Sequence, residues 1–79
     1  MYVLSMCSMS DYGWSNLGVY SSLQLADAAV LRYIVGEQIE LIDYEQIEFG
    51  GEIYYGYDGK TDETVTFKIE QFTVDDMNY

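Results

Sequence analysis

Carboxylates are the side chains of this 79-residue chain that could do chemistry, and they are concentrated in one region. The stretch from Glu37 to Asp76 holds twelve of the fourteen acidic residues and only two lysines, Lys60 and Lys68. The first 36 residues contribute only −1 to the net charge of −11. Closely spaced carboxylates can act as general acids and bases, coordinate a cation, or present a negative surface to a basic partner.

Enzymatic chemistry finds little support among these residues. The chain has no histidine, so a Ser–His or Cys–His nucleophile pair is impossible. Cys7 has no basic residue near it in sequence to stabilise a thiolate, so we expect a structural core cysteine. Asp43 with Glu45, or Glu45 with Asp62, could in principle form a glycosidase pair, but so small a domain offers little pocket for a sugar. We expect no enzymatic activity.

Metal binding and cofactor binding are also not expected. The turn from Asp58 to Glu63 concentrates oxygen ligands, but it lacks the EF-hand spacing and contains Lys60. One cysteine and no histidine cannot make a zinc site. A solvated hairpin turn is the preferred interpretation.

Length and composition predict one small folded domain over residues 1–79. Hydrophobic residues make up 49% of the chain and nine residues are tyrosines, which argues against disorder despite the charge. The single cysteine excludes an internal disulfide and favours the cytoplasm. We expect no signal peptide or membrane span, and the negative charge opposes direct binding to membranes or nucleic acid.

The beginning of the chain predicts one strand. From Tyr2 to Met9, apolar residues fall on both faces of an extended segment, which is typical of an interior strand. Residues 10–17 have turn-forming composition and carry Trp14, a candidate contact residue that could equally cover the edge of the core. Residues 18–20 then lead into the next element.

A helix is predicted from about Leu23 to Val35. Ser21 and Gln24 have the spacing of a capping box, and apolar residues follow at helical intervals. Gly36 is placed to cap the end of the helix.

After the helix the hydrophobic period changes to two, which predicts strands. The period breaks between Leu41 and Ile42, so we expect a bulge or a bend there. Gly50-Gly51 predicts a hairpin, and Asp58-Gly59 opens a second turn.

The last two strands are predicted over residues 52–57 and 64–72. Val65, Phe67 and Ile69 should face inward on the second of them, and the tail 75–79 should fray. The predicted class is α+β, with one helix packed on one face of a mostly antiparallel sheet of about four strands, in the order β-α-β-β-β.

The tyrosines of the acidic hairpin region, residues 37–76, are predicted to divide between surface and core. We expect Tyr44 and Tyr54 to point outward, and Tyr55 and Tyr57 to point inward with Ile53. Outward tyrosines would suit a protein interface, because tyrosine often anchors such contacts.

Carboxylates on strands can imitate a nucleic-acid backbone. Residues i and i+2 of a strand lie about 6.6 Å apart on one face, a spacing comparable to that of successive phosphates. A purely solubilising face is the simpler explanation, but only three cations offset the self-repulsion of fourteen acidic residues. The expected partner-contact residues are Glu40, Asp43, Tyr44, Glu45, Glu48, Glu52, Tyr54, Asp58, Asp62 and Glu63.

Three segments resemble a family of small uncharacterised β-α-β domains from bacteria and phages. They are residues 2–4, residues 18–22 with Ala26 and Ala29, and residues 67–75. The chain departs from that family between Glu37 and Thr66, where the acidic hairpins look like an added element. Residues 57–65 resemble a turn and strand in the phage inhibitor of uracil-DNA glycosylase, a small acidic DNA mimic.

Small size, acidity and the phage-like resemblance together favour a phage inhibitor of the anti-CRISPR type, acting in the cytoplasm of the host bacterium. Its expected partner is a basic nucleic-acid-binding protein or nucleoprotein complex, such as a CRISPR effector. The alternative is a structural module that uses a strand edge and tyrosines to bind a second copy or a virion component. A small-molecule binder, a third alternative, would need a deep pocket.

Overall fold

The computed structural model of the chain describes residues 1–8 and 13–72, without the side chain of Phe49. Its elements in chain order are β1 (Tyr2–Ser8), β2 (Ser15–Tyr20), α1 (Leu23–Gly36), β3 (Glu40–Ile47), a 3-10 turn (Glu48–Gly50), β4 (Gly51–Asp58) and β5 (Glu63–Gln71). All strand pairs are antiparallel, in the spatial order β2-β1-β5-β4-β3. The predicted α+β class is confirmed, but the sheet has five strands and not about four.

The additional strand is β2, whose residues 15–17 were expected in a turn and whose residues 18–20 were expected as a short extended entry to the helix. Ser15–Tyr20 pairs with β1 along one edge of the sheet, and its register shifts where Leu17 is an extra residue opposite Leu4 and Ser5. Such a bulge breaks the alternation that marks a strand in a sequence. The predicted end of the first strand at Met9 and residues 10–12 of the predicted turn lie outside the described residues.

The helix begins at Leu23, as predicted, but its N-cap is one residue later than the predicted capping box. Ser22, not Ser21, is the N-cap, and its hydroxyl accepts a hydrogen bond from the Leu25 amide at 3.2 Å. At the other end Gly36 is the last helical residue, and Gln38 takes the left-handed conformation with φ 56°. The Ile39 amide donates to the Ile34 carbonyl at 2.9 Å, which closes a Schellman-type end.

The core lies between α1 and the face of the sheet that α1 covers. Phe67 and Ile69 of the central strand β5 are fully buried, as is Val30 of the helix, and the Tyr33 ring packs edge-on against Phe67 at 5.4 Å. The inward orientation predicted for β5 is therefore confirmed. The other buried apolar residues are Leu4, Ala26, Ile34, Ile39, Tyr54 and Val65.

Two turns join the last three strands, close to the predicted positions. Ile47 pairs with Gly51, and the 3-10 turn between them includes Gly50 at φ 77°, so the first hairpin loop is longer than two residues. Asp58 pairs with Glu63 across the second loop. Among the described residues no helix is long and apolar enough to cross a membrane.

Substitutions of Gly56 and Gly36 test how closely β4 packs against Ile39, the residue before β3. A Cβ atom on Gly56 would lie 2.6 Å from Cγ2 of the buried Ile39, whereas one on Gly36 meets nothing within 4 Å. We expect Gly56→Ala to lower the free energy of unfolding by about 1–3 kcal/mol through overpacking. Gly36→Ala should raise it by about 0.5–1 kcal/mol, because alanine favours the helix. Urea unfolding of both variants checks this, and equal effects would contradict it.

Candidate functional site

The sheet has one face covered by α1 and one face that no helix of residues 1–8 and 13–72 covers, here called the open face. Residues directly paired across neighbouring strands point to the same side of a sheet. Tyr54 points to the helix side, where it is buried, so its neighbours Ile53, Tyr55 and Tyr57 lie on the open face. Their partners on β3 are Glu45, Asp43 and Glu40 respectively.

These three carboxylates, Glu40, Asp43 and Glu45, form an acidic row along the edge strand β3. By simple alternation Glu40 would point away from the other two. The register of β3 shifts between Leu41 and Asp43, so that Ile42 is an extra residue and Glu40 joins the same face. The predicted phase break is thus confirmed as a bulge, and its effect is to align the three carboxylates.

The orientation predicted for the β4 tyrosines is wrong. Tyr54 was expected to point outward but is 7% exposed, whereas Tyr55 and Tyr57 lie on the open face. Tyr44 is exposed as predicted, at 41%, and its ring packs against Tyr54 with centroids 4.9 Å apart. The buried side of β4 is the opposite of the predicted one because Glu52 and Tyr54 have polar partners beneath the helix.

Tyrosine hydroxyls contact one carboxylate of the acidic row and one of the β4–β5 turn. Tyr55 donates to Oε1 of Glu45 at 2.7 Å, and Tyr57 donates to Oδ1 of Asp62 in the β4–β5 turn. These hydrogen bonds raise the pKa of both phenols, because a nearby carboxylate opposes formation of a phenolate. The phenols therefore stay neutral at neutral pH.

The acidic row also lacks compensating cations. Within residues 1–8 and 13–72, the ion pairs are Lys60 with Asp58 and Lys68 with Glu70, each at 3.6 Å. Neither involves the row. Its charge is therefore available to an incoming basic group.

A cation and an aromatic ring lie on the β5 and β2 side of the open face. The Lys68 ammonium group lies 4.2 Å from the centroid of the Trp14 ring, which is 46% exposed. Lys68 pairs with Ile53 across β5 and β4, on the open face. The negative charge of this face is thus concentrated on its β3 side.

The remaining predicted contact residues are distributed over other parts of the molecule. Glu48 is exposed in the 3-10 turn, and Glu63 lies opposite Asp58 on the helix side. The Asp58 side chain is only 14% exposed. Glu52, at 5% exposure, and Tyr54 are both buried, so we leave these two out of the contact surface.

Asp27 is a functional candidate that the sequence reasoning missed. It lies half-buried on α1, where its Oδ1 accepts a hydrogen bond of 2.7 Å from Tyr54 and its carboxyl group contacts Glu52. Tyr44 donates to Oε2 of Glu52. The signal was available, because Asp27 shares the buried stripe of the helix with Leu23 and Val30.

Comparisons of the chain with protein-family models, with curated protein sequences and with solved structures found no match. The resemblances to small β-α-β domains and to a glycosylase inhibitor therefore stay predictions. Among the described residues there is also no group of three or more potential metal ligands. The geometry by itself defines an α+β domain with an acidic row on an uncovered sheet face.

Two tyrosine hydroxyls test how much such bonds stabilise the fold. Tyr54→Phe removes a buried hydrogen bond to a carboxylate and should lower the free energy of unfolding by about 1.5–3 kcal/mol. Tyr55→Phe removes an exposed bond of the same length and should cost clearly less. Urea unfolding at neutral pH measures both, and an equal loss would show that burial does not set the strength of these bonds.

Proposed function

We propose that this protein is a non-enzymatic inhibitor of the phage anti-defence type, which binds a basic nucleic-acid-handling protein through the acidic row. The observation that carries the proposal is the alignment of Glu40, Asp43 and Glu45 on an uncovered sheet face without compensating cations. Within the described residues, no lysine or arginine forms an ion pair with any of the three carboxylates.

The rigidity of the sheet supports a mimic of nucleic acid. The row is attached to β4 by a ladder that runs from Glu40 opposite Tyr57 to Ile47 opposite Gly51 and is interrupted only at the bulge at Ile42. The carboxylates therefore hold their spacing without a partner, which reduces the entropy lost on binding. Tyr55 and Tyr57 lie beside the row and offer apolar contact.

The sign of the charge favours a basic partner. A chain of net charge −11 repels nucleic acid and attracts lysine and arginine clusters. Proteins that handle nucleic acid carry such clusters in the groove that receives the phosphates. A CRISPR effector has this kind of groove, and occupying it would exclude the guide or the target strand.

The alternative function, a module that assembles through a strand edge, is less well supported. Both edge strands carry a bulge, with extra residues Leu17 in β2 and Ile42 in β3. Bulges and charges on an edge strand obstruct pairing with another strand. The two edges thus have features that oppose self-assembly.

Neutralisation of the row tests the proposal against a matched control. The row variant is Glu40→Gln, Asp43→Asn and Glu45→Gln. The control variant is Glu37→Gln, Asp75→Asn and Asp76→Asn, which removes the same number of charges at residues that are not among the expected contacts. Tagged full-length proteins would be used to capture partners from nuclease-treated bacterial lysate at low and at high salt.

We expect the unmodified protein and the control variant to retain a nucleic-acid-binding protein at low salt and lose it at high salt. At low salt the row variant should retain at least tenfold less of that protein. Equal retention by the two variants would contradict a role for the row. Retention only of a second copy of the chain, insensitive to salt, would favour the assembly module.

A further inference from the structure

Two carboxyl groups lie in contact between α1 and the sheet, away from the acidic row. Asp27 of the helix and Glu52 of β4 meet there, and each also accepts a hydrogen bond from a tyrosine, Tyr54 and Tyr44 respectively. The two tyrosine rings pack against each other. The four side chains form one group, here called the carboxyl lock, that joins the helix to β3 and β4.

One oxygen of the lock has no hydrogen-bond partner. Oε1 of Glu52 is buried, and within the described residues nothing donates to it or accepts from it. A buried ionised carboxylate with an unsatisfied oxygen is costly, and a second carboxylate in contact with it adds repulsion. A proton on one of the two groups removes both penalties, because the resulting O–H can donate to the other.

We propose that Glu52 and Asp27 share one proton, carried on Oε1 of Glu52, and that this proton fastens α1 to the β3–β4 hairpin. The unsatisfied oxygen becomes the donor and the Asp27 carboxylate becomes its acceptor. Tyr44 and Tyr54 donate to the other oxygens of the pair. In this arrangement the lock contains one negative charge and not two.

The groups that face Glu52 from each neighbouring element fit this assignment. Asp27 faces it from α1, Tyr44 from β3 and Tyr54 lies beside it on β4, while the residue opposite on β5 is the apolar Ile69. No lysine or arginine of residues 1–8 and 13–72 forms an ion pair with either carboxyl group. Burial raises the pKa of Glu52, contact with Asp27 raises it further, and the hydrogen bond from Tyr44 lowers it.

The lock makes the attachment of the helix sensitive to pH. The pKa of Glu52 is higher in the folded chain than in the unfolded chain, so the folded state binds this proton more tightly. Its stabilising contribution is complete below the ordinary carboxyl pKa and is lost as pH rises through the raised value. Above that pH two charges repel each other between α1 and β4, and the contact loosens.

Carbon-13 NMR titration of the glutamate side-chain carboxyl groups in the full chain tests the proposal. We expect Glu52 to titrate at a higher pH than the exposed Glu48. Asp27→Asn, which removes the repelling charge and the charged acceptor, should lower the midpoint of Glu52. Tyr44→Phe, which removes a donor to the ionised form, should raise it. A Glu52 midpoint equal to that of Glu48, or unmoved by Tyr44→Phe, would overturn the proposal even if Asp27→Asn failed to fold.

Unfolding measurements on a second pair of variants test the lock through stability. Glu52→Gln provides a permanent N–H donor toward Asp27 and still accepts from Tyr44, so its stability should fall less than that of the unmodified chain as pH rises above the carboxyl range. Glu48→Gln removes a charge at an exposed position and should keep the original pH dependence. Identical pH profiles for the two variants would contradict a shared proton.

Discussion

The hydrogen bond from a tyrosine hydroxyl to a carboxylate is the interaction on which this structure depends. Fourteen acidic residues and three basic ones leave few ion pairs available to hold carboxylates in place. Four tyrosines of β3 and β4 each donate to a different carboxylate: Tyr44 to Glu52, Tyr54 to Asp27, Tyr55 to Glu45 and Tyr57 to Asp62. A neutral donor orients an anion without cancelling its charge, so the protein can be both ordered and strongly negative.

The two faces of the sheet use this interaction differently. On the helix side the carboxyl groups of Asp27 and Glu52 are enclosed, and their cost is reduced by hydrogen bonds and, in our proposal, by a shared proton. On the open face Glu45 stays exposed and accepts a hydrogen bond from Tyr55. The bulge at Ile42 affects both faces. It aligns the acidic row on the open face, and the residues after it place Tyr44 opposite Tyr54 on the helix side.

Sequence patterns predicted where the helix and strands lie better than which face of each strand is buried. The helix and the buried side of β5 followed from clear periodicity, whereas β2 was missed because Leu17 interrupts its alternation. In β4 the residues Ile53, Tyr55 and Tyr57 looked like the apolar face. The structure instead buries Glu52, Tyr54 and Gly56, since Asp27 provides a polar partner from the helix and Ile39 requires the space above Gly56. Those contacts join distant parts of the chain, so local periodicity contains no sign of them.

The acidic row could be predicted only in part. The residues Glu40, Asp43 and Glu45 were expected at a contact surface, but their alignment depends on which residue of β3 is the extra one. The sequence left open whether Trp14 contacts a partner or covers the edge of the core. Its exposed ring lies under the Lys68 ammonium group and not over the core. The alignment of the row is set by strand register, which a single sequence determines weakly.

Competition with nucleic acid shows whether the acidic row occupies a groove that receives phosphates. A captured partner would be loaded with its labelled nucleic acid, and the protein would be added in increasing amounts while the bound label is measured. We expect the protein to displace the labelled nucleic acid, with at least tenfold less potency for the variant that neutralises Glu40, Asp43 and Glu45. A stable complex that holds the protein and the nucleic acid together, with no displacement, would contradict it.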